Sequence, residues 1–245
     1  MGCSFTLQHY REILEIAKKN GYAFLGFHSP CSSRGQRVIY LRHDIDICLE
    51  EAVEMARTEA EVGVSATYFV LTNSPVYNVF AEDSRKLVRY IQQLGHWVGL
   101  HIDPVLFSAD DLVQFEERIV NLIKFYREYL DIVPVVSFHR PSNMVLGRDF
   151  RAFVSTYSPR FFTDIKYVSD SRGTWREGCP CQRLNDRAHE AMQVLIHPIW
   201  WKITEHESLN KRLFILLEER AKCFRSYLAS NVEPLRAIFC KGERE

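Results

Sequence analysis

The chain has 245 residues, of which 47% are hydrophobic and 25% are charged, the proportions of a soluble globular protein. Lys and Arg total 31, and Asp and Glu also total 31, so the formal net charge is zero. This balance argues against a nucleic-acid-binding protein, which would carry a basic excess, and against a disordered acidic spacer. We find neither a secretory signal pattern nor a run of about 18 apolar residues, and therefore expect a cytoplasmic protein without a transmembrane segment.

The seven cysteines are scattered and odd in number, which predicts reduced thiols rather than a disulfide framework. Cys179 and Cys181 flank Pro180 and offer two ligands of the kind that hold structural zinc. No second cysteine pair at a matching spacing accompanies them, which argues against a zinc site there.

Helical and strand periodicities alternate along the chain from an N-terminal helix onward. The predicted helices span residues 7–20, 49–61, 83–94, 109–130, 149–157 and 208–230. The predicted strands span residues 38–41, 66–71, 97–100, 133–138, 160–168 and 192–196. This alternation predicts parallel strands joined by right-handed crossovers, and the lack of linkers or repeats predicts one domain over residues 1–245. The order suits a barrel or an open doubly wound sheet, although no glycine-rich phosphate loop follows the first strand.

Polar residues follow the predicted strands, where parallel α/β folds place their active sites. Asp44 and Asp46 share a face, because side chains at i and i+2 of a strand point the same way. Two carboxylates so close repel each other unless a cation or a proton lies between them, which predicts a metal. The alternative is that Asp46 caps the following helix. His43 lies on the opposite face and is expected to be structural.

Two further strand ends add candidate residues to this group. His101 and Asp103 share a face and, together with Asp46, make one His and two carboxylates, a set that suits a divalent metal with open positions. Arg140 precedes Pro141, which predicts an extended backbone at Arg140. A buried Arg needs an acidic partner, for which Asp44 is the candidate; the alternative is a surface Arg.

The last predicted strand leads directly into His197, a normal position for a general acid or base. Asp170 is the candidate that holds the His197 ring in one tautomer, as carboxylates behind functional histidines do. Trp200 and Trp201 follow closely, and such a pair either stacks on a sugar ring or belongs to the core.

The order and spacing of these motifs, from about Val38 to Trp201, resemble the polysaccharide deacetylases of the NodB-homology type. The resemblance is closest to the divergent branch of bacterial O-antigen and surface-polysaccharide biosynthesis, in which a strand ending R-H-D-[IV]-D and a later H-P-x-W-W recur. It implies a distorted (β/α) barrel of about seven strands. It also implies metal-dependent removal of an acyl group from an amino sugar.

Carried over residue by residue, the resemblance implies that Asp44 is the catalytic base and that Arg140 orients it. His197 would be the catalytic acid, with Asp170 behind it. The acyl pocket would be walled by Trp175 and Leu195. Trp200 is a further candidate substrate contact because a tryptophan can stack on a sugar ring.

The same resemblance implies that Asp46 and His101 bind the metal. Two departures from the family pattern stand out. Ile45 separates two Asp residues that are adjacent in most of the family, and Val105 stands where a second His ligand is expected. We interpret Asp103, which shares a face with His101, as the replacement for that ligand.

The sequence therefore predicts a hydrolase that removes an N-acyl group, most simply N-acetyl, from a nucleotide- or lipid-linked amino sugar. The expected cofactor is a divalent metal, with zinc ahead of cobalt, nickel and manganese. Two alternatives stay open: a carbohydrate-binding relative without activity, and a hydrolase of another C–N amide on the same scaffold.

Overall fold

Every strand ladder in the described part of the chain is parallel. The computed structural model describes residues 3–30, 35–107, 111–201 and 208–235. The strands are β1 Tyr22–Phe24, β2 Arg37–Ile45, β3 Thr67–Leu71, β4 Trp97–Ile102, β5 Val135–Phe138, β6 Val154–Ser155, β7 Lys166–Ser169 and β8 Ala191–Ile196. The helices are α1 Leu7–Lys19, α2 Leu49–Val62, α3 Glu82–Gln93, α4 Leu112–Arg127, α5 Pro159–Phe162, α6 Pro180–Asn185 and α7 Leu209–Asn231.

The strands form one curled sheet in the order β6-β5-β4-β3-β2-β8-β7, with β1 paired to the start of β2. Seven strands lie on the main path, and helices flank the sheet, which confirms the predicted α/β fold with a distorted (β/α) barrel. No ladder joins β6 to β7 among the described residues, so the barrel is open there. The order follows from parallel crossover connections, which bring the carboxyl ends of all strands to one rim.

The two faces of the sheet carry different side chains because residues alternate along each strand. Ile39, Leu41 and Ile45 of β2 belong to the core that also contains the buried residues of α1 and α2. On the inner face, Val38 and Tyr40 pack in a second core cluster. Phe27, Phe69, Val135 and Phe161 complete that cluster.

Gly99 lets β4 approach its neighbours on the inner face. A Cβ atom added at Gly99 would lie 2.6 Å from the carbonyl oxygen of Val135 and 2.7 Å from the ring of Phe69. Such contacts are far closer than packed interiors tolerate. The absence of a side chain at Gly99 therefore fixes the spacing of β3, β4 and β5 just beneath His101.

One of the predicted elements is wrong, and a second is right only in part. No helix forms over 149–157; instead Val154 and Thr156 donate backbone hydrogen bonds to Pro134 (2.9 Å) and Val136 (3.0 Å), which extends the sheet at its edge. β-Branched residues near an open sheet edge pair with it, and the tertiary partner outweighs local helical spacing. The predicted strand 160–168 begins as helix α5, because Pro159 starts a helical turn, and only its end forms β7.

The chain falls into two compact units, residues 1–202 and 203–245, and the predicted single domain over 1–245 stays a prediction. Helix α7 forms most of the described part of the second unit. Ser208 caps its N-terminus, and the Ser208 hydroxyl accepts the Lys211 N–H at 3.3 Å. None of the described helices has both the length and the apolar character needed to cross a bilayer. The first two residues of the predicted helix 109–130 lie outside the described part of the chain.

Candidate metal centre at the carboxyl ends of the strands

Strand alternation brings a set of polar side chains to the inner rim of the curled sheet. Arg42 and Asp44 stand on the inner face of β2, and Asp46 follows on the same side. His101 belongs to β4 and is in register with Ser137 of β5. The remaining members come just after β5, after β7 and after β8: His139, Asp170 and His197.

Asp46, His101 and His139 form a compact group of three metal-ligand types. Oδ1 of Asp46 lies 3.1 Å from Nε2 of His101 and 3.3 Å from Nδ1 of His139. The two imidazole nitrogens are 3.2 Å apart. Oδ1 of Asp46 is buried and makes no hydrogen bond in the described structure. A buried carboxylate oxygen without a donor, facing two imidazoles, fits a divalent cation bound by all three residues.

The surroundings prepare His101 as a ligand. Its Nδ1 faces the backbone oxygen of Ser137 at 3.1 Å and the Ser137 hydroxyl at 2.9 Å. A proton on Nδ1 satisfies these acceptors and leaves the Nε2 lone pair pointing at Asp46, the tautomer that a metal needs. Burial would raise the pKa of Asp46, but the imidazoles of His101 and His139 outweigh it and lower that pKa below its usual range. Asp46 is therefore a charged ligand at neutral pH.

Asp44 is held from two sides just below this group. Arg42 donates from Nε to Oδ1 at 2.9 Å and from Nη2 to Oδ2 at 2.7 Å. The Ser137 hydroxyl donates to the same carboxylate at 2.9 Å, and Oδ2 lies 3.6 Å from Nε2 of His101. Burial would raise the pKa of Asp44, but the Arg42 guanidinium and His101 lower it. Asp44 is therefore ionised and fixed in one orientation.

Arg42 is fully buried, and its guanidinium contacts several polar and aromatic groups. Nη1 donates to Gln193 at 3.2 Å, and Nη2 donates to the Tyr157 hydroxyl at 3.0 Å and to Ser137. The guanidinium carbon lies 4.6 Å from the centroid of the Tyr157 ring, within the range of a cation–π contact. Gln193 is itself fixed, because its amide donates to the backbone oxygens of Thr156 and Phe161. This network satisfies a buried charge that would otherwise be very costly.

His197 occupies the other side of Asp46. Its Nε2 lies 4.0 Å from Oδ2 of Asp46, and its Nδ1 lies 2.7 Å from Oδ1 of Asp170. Asp170 is fully buried and also accepts the His197 N–H at 3.0 Å and the Trp201 indole N–H at 2.7 Å. Burial lowers the pKa of His197, but the charge of Asp170 and the hydrogen bond to it raise it to about 9. The ring is therefore protonated at neutral pH and can donate a proton from Nε2.

The structure does not support Arg140 as the partner of Asp44. Arg140 is exposed, and its backbone φ of +48° is left-handed rather than extended. The reason is local: β5 ends at Phe138, and the chain turns outward after His139, whose N–H still donates to Ile102 at 2.8 Å. The guanidinium that holds Asp44 belongs to Arg42.

Asp103 is not part of the ligand group either. Its carboxylate accepts the Val105 N–H at 3.1 Å and so caps the single helical turn Pro104–Phe107 that follows β4. The nearest third ligand to Asp46 and His101 is His139. β4 ends at Ile102, so Asp103 lies one residue beyond the strand, where strand alternation no longer fixes the direction of its side chain.

The remaining predicted residues lie around this centre at different depths. Leu195 is buried on the inner face of β8, in register with Arg42 and Ser169. Trp175 is half-buried and packs on Phe5 and Trp201, with ring centroids 6.1 and 6.0 Å away. Trp200 is half-buried against the main core. The tryptophan that reaches the polar site is Trp201, through Asp170.

Sequence reasoning missed Arg42, Ser137 and His139, although one signal was present. The i and i+2 alternation that paired Asp44 with Asp46 also places Arg42 on the same face. It likewise places Ser137 and His139 on one face of β5. The alternation along every strand identifies the residues of the inner face. It does not show which of them are in contact across the sheet.

No protein-family model matches this chain, and no curated protein sequence is similar to it. Among solved structures, it is similar to the catalytic domain of a peptidoglycan N-acetylglucosamine deacetylase from Eubacterium rectale. The likeness has a TM-score of 0.33 and 15% sequence identity, and covers 79% of this chain and 88% of that chain. Fold and site together define a parallel α/β protein with a candidate metal centre at the carboxyl end of its sheet, and the reaction is inferred from the geometry of that centre.

Proposed function

We propose that this protein is a metal-dependent hydrolase that removes an N-acyl group, most simply an acetyl group, from an amino sugar. The observation that carries the proposal is the convergence of three functional groups at one rim. These are the ligand triad Asp46, His101 and His139, the ionised Asp44 beside it, and the protonated His197 beyond it. Hydrolysis of an amide needs an electrophile, a proton acceptor and a proton donor, and this rim supplies groups for each role.

The proposed cofactor is a divalent ion, with zinc as the first choice and cobalt, nickel or manganese as alternatives. Two imidazoles and one carboxylate are a ligand set that leaves coordination positions open. Bound there, such an ion polarises an amide carbonyl and lowers the pKa of water. The protein fixes the ligands from behind, since Ser137 holds the His101 ring by its Nδ1.

Asp44 is the proposed proton acceptor. Its carboxylate is ionised because Arg42 and His101 lower its pKa, and Arg42 and Ser137 prevent it from turning. It takes a proton from the attacking water as the water oxygen bonds to the acyl carbon. Arg42 is the positioning residue for this step, the role that the sequence assigned to Arg140.

His197 is the proposed proton donor. When the C–N bond breaks, the amine leaving group needs a proton, and the Nε2–H of His197 supplies it. The Asp170 carboxylate holds Nδ1 at 2.7 Å and so keeps Nε2 directed at the rim. The products are then a carboxylic acid and a free amino sugar.

The finer substrate class is also a proposal, supported by the sequence resemblance to polysaccharide deacetylases of O-antigen and surface-polysaccharide biosynthesis. We infer a nucleotide- or lipid-linked amino sugar, reached from the cytoplasm. Leu195 is the proposed wall of the acyl pocket, because it lies on the inner face two residues before His197. Trp175 is proposed as the second wall of that pocket on the resemblance alone, and Trp200 is proposed as a stacking surface for the sugar ring.

Metal content and acetate release test the proposal together. We expect Asp46→Ala to lose one equivalent of divalent metal and all turnover on N-acetylated amino sugars. Asp44→Asn should retain the metal and lose turnover by about 100- to 10,000-fold, because only the proton acceptor is removed. Asp103→Asn is the matched control, since that carboxylate only caps a helical turn, and should keep both metal and activity.

Several results would contradict the proposal. Undiminished turnover in Asp44→Asn would remove its proposed role. A parent protein that takes up no metal at Asp46 from zinc, cobalt, nickel or manganese would argue against hydrolysis by this route and favour a carbohydrate-binding protein. Turnover on simple amides but not on amino sugars would favour the other C–N hydrolase.

A further inference from the structure

We propose that Cys3, His9, Cys179 and Cys181 form a second metal site, a structural zinc site that is separate from the rim described above. One ligand atom from each residue lies within 4.8 Å of the other three. The four donors are three sulfurs and one imidazole nitrogen, a set typical of structural zinc. None of the four residues takes part in the proposed hydrolysis.

The distances fit a small tetrahedral site and not a disulfide. Sγ of Cys181 lies 3.1 Å from Sγ of Cys179 and 3.4 Å from Sγ of Cys3. Nε2 of His9 lies 3.3 Å from Sγ of Cys179. A tetrahedral zinc with Zn–S of about 2.3 Å separates its sulfurs by about 3.8 Å, whereas a disulfide requires about 2.05 Å. The group is therefore a few tenths of an ångström tighter than a loaded site and more than 1 Å too open for an S–S bond.

His9 is oriented as a ligand by its neighbour. Its Nδ1 lies 3.1 Å from Oε2 of Glu12, one turn further along α1. A proton on Nδ1 satisfies that carboxylate and leaves the Nε2 lone pair directed at Cys179. A carboxylate behind the far ring nitrogen is the usual support of a zinc-bound histidine.

Local structure presents the other ligands. Cys179 is the residue before helix α6, and Pro180 starts the helix, so that Cys179 and Cys181 project to one side. Cys3 precedes α1, and Thr6 fixes the beginning of that helix by accepting the His9 N–H at 3.1 Å. The second pair of ligands is therefore a cysteine and a histidine, Cys3 and His9, at the spacing C-x5-H and far from Cys179 in the sequence. Because this pair contains only one cysteine, the spacing of cysteines alone does not reveal it.

The proposed zinc has a structural role because four protein ligands leave no open position. It joins the N-terminal segment to the segment 179–181. The N-terminal segment includes Phe5, whose ring centroid lies 6.1 Å from that of Trp175 and 5.1 Å from that of Trp201. Trp201 in turn donates to Asp170. The site therefore fixes the layer that supports Asp170 from behind.

Zinc release by a thiol reagent tests the proposal on the full chain. We expect a mercurial to release about one zinc per chain, because it displaces metal from sulfur and not from the Asp46 triad, which has no thiolate. Asp46→Ala should keep this thiol-dependent zinc, so the result does not depend on the proposed hydrolase activity. Cys181→Ser and Cys3→Ser should lose it. Cys223→Ser, a change at an exposed cysteine of α7, should keep it.

A conservative variant protects the test against misfolding. His9→Cys converts the donor set to four cysteines, also a zinc site, and should retain the zinc, whereas His9→Ala should lose it. Cobalt in place of zinc should show thiolate-to-metal charge-transfer absorption in the parent and in His9→Cys. The proposal is overturned if reduced, zinc-supplemented parent releases no zinc to the mercurial, if the released metal is iron, or if Cys223→Ser loses as much zinc as Cys181→Ser.

Discussion

Arg42 and Asp44 form a buried ion pair whose main effect is to orient the Asp44 carboxylate. Both residues are almost fully excluded from water, and their contact is bidentate. Burying two charges costs several kcal/mol each, and the pair offsets this only through good geometry and further hydrogen bonds. Gln193, Tyr157 and Ser137 supply those bonds. The network therefore fixes the direction of the Asp44 carboxylate more than it stabilises the fold.

Arg42→Lys tests this positioning role. Lysine keeps the positive charge but loses the planar fork that holds both oxygens of Asp44. We expect kcat to fall by about 100-fold, because small misplacements of a reacting group cost that much, while the metal at Asp46 stays bound. Arg140→Lys is the control and should leave kcat unchanged. Equal losses in both variants would return the role to Arg140.

The protonation of His197 predicts an alkaline limit to activity. The pKa of His197 is raised to about 9 by Asp170, so the donor form is present below that pH and is lost as pH rises through it. We expect kcat/KM to fall above about pH 9. Asp170→Asn removes the charge that raises the pKa of His197, so the fall in kcat/KM should begin at a lower pH. NMR titration of the His197 ring should show the same decrease in its pKa. If kcat/KM falls at the same pH in Asp170→Asn as in the parent, another group sets the alkaline limit.

At the scale of elements, Glu59 links α1, α2 and two strands on the outer face of the sheet. Its carboxylate accepts from the hydroxyls of Tyr10 and Tyr68, the latter at 2.7 Å, and faces Nε2 of His43 at 2.5 Å. Burial would raise the pKa of Glu59, but His43 and the hydrogen bonds lower it. His43, expected from sequence to be structural, is part of this network. This network holds β2 against α1 and α2 and so fixes the positions of Asp44 and Asp46.

Glu59→Gln should destabilise the protein in a pH-dependent way. Hydrogen bonds to a charged group contribute about 1.5–3 kcal/mol, so we expect a loss of that size in urea unfolding at pH 7. Because the folded-state pKa of Glu59 is lowered, its contribution is present above the unfolded pKa and is lost as pH falls through the acid range. The difference between parent and variant should therefore shrink toward low pH. Glu61→Gln, at an exposed position, should show neither effect.

At the scale of the whole sheet, the interior of the barrel is layered. The lowest layer is aromatic: the Phe161 ring lies 4.8 Å from Tyr40 and 4.9 Å from Phe27. Arg42 and Gln193 follow above it, and Asp44, Asp46 and the histidines lie at the rim. Each layer combines residues from distant parts of the chain. The buried aromatic rings of this layer lie below the charged groups, at the opposite end of the strands from the rim.

Phe161→Ala tests the separation of these layers. Removing a fully buried ring costs about 3–5 kcal/mol through lost packing and a cavity, and we expect that loss in the free energy of unfolding. Metal content per folded chain should not change, because the proposed ligands Asp46, His101 and His139 belong to the rim. Phe214→Ala, at an exposed position of α7, should cost within about 0.5 kcal/mol. A loss of the Asp46 metal in Phe161→Ala would show that the layers are coupled.

The sequence by itself determined the features that depend on local spacing. Strand and helix alternation predicted parallel strands joined by helical crossovers and left both a barrel and an open sheet possible, and the family resemblance favoured the barrel. The i and i+2 rule predicted that Asp44 and Asp46 share a face. The placement of Asp170 beside His197 also followed from motif order and resemblance. The alternation and the shared face could be predicted because the periodicities of strand and helix are properties of a few consecutive residues.

Only the tertiary structure decided which residues meet. His139 lies 38 residues after His101 and Cys3 lies 178 residues before Cys181, yet each pair is within 3.4 Å. Such contacts depend on sheet order, on the residue at which each strand ends and on how the chain turns beyond it. The same factors turned Arg140 outward, engaged Asp103 in a cap and left Arg42 as the partner of Asp44. Sequence spacing sets the direction of a side chain, whereas the packing of distant segments determines what that side chain contacts.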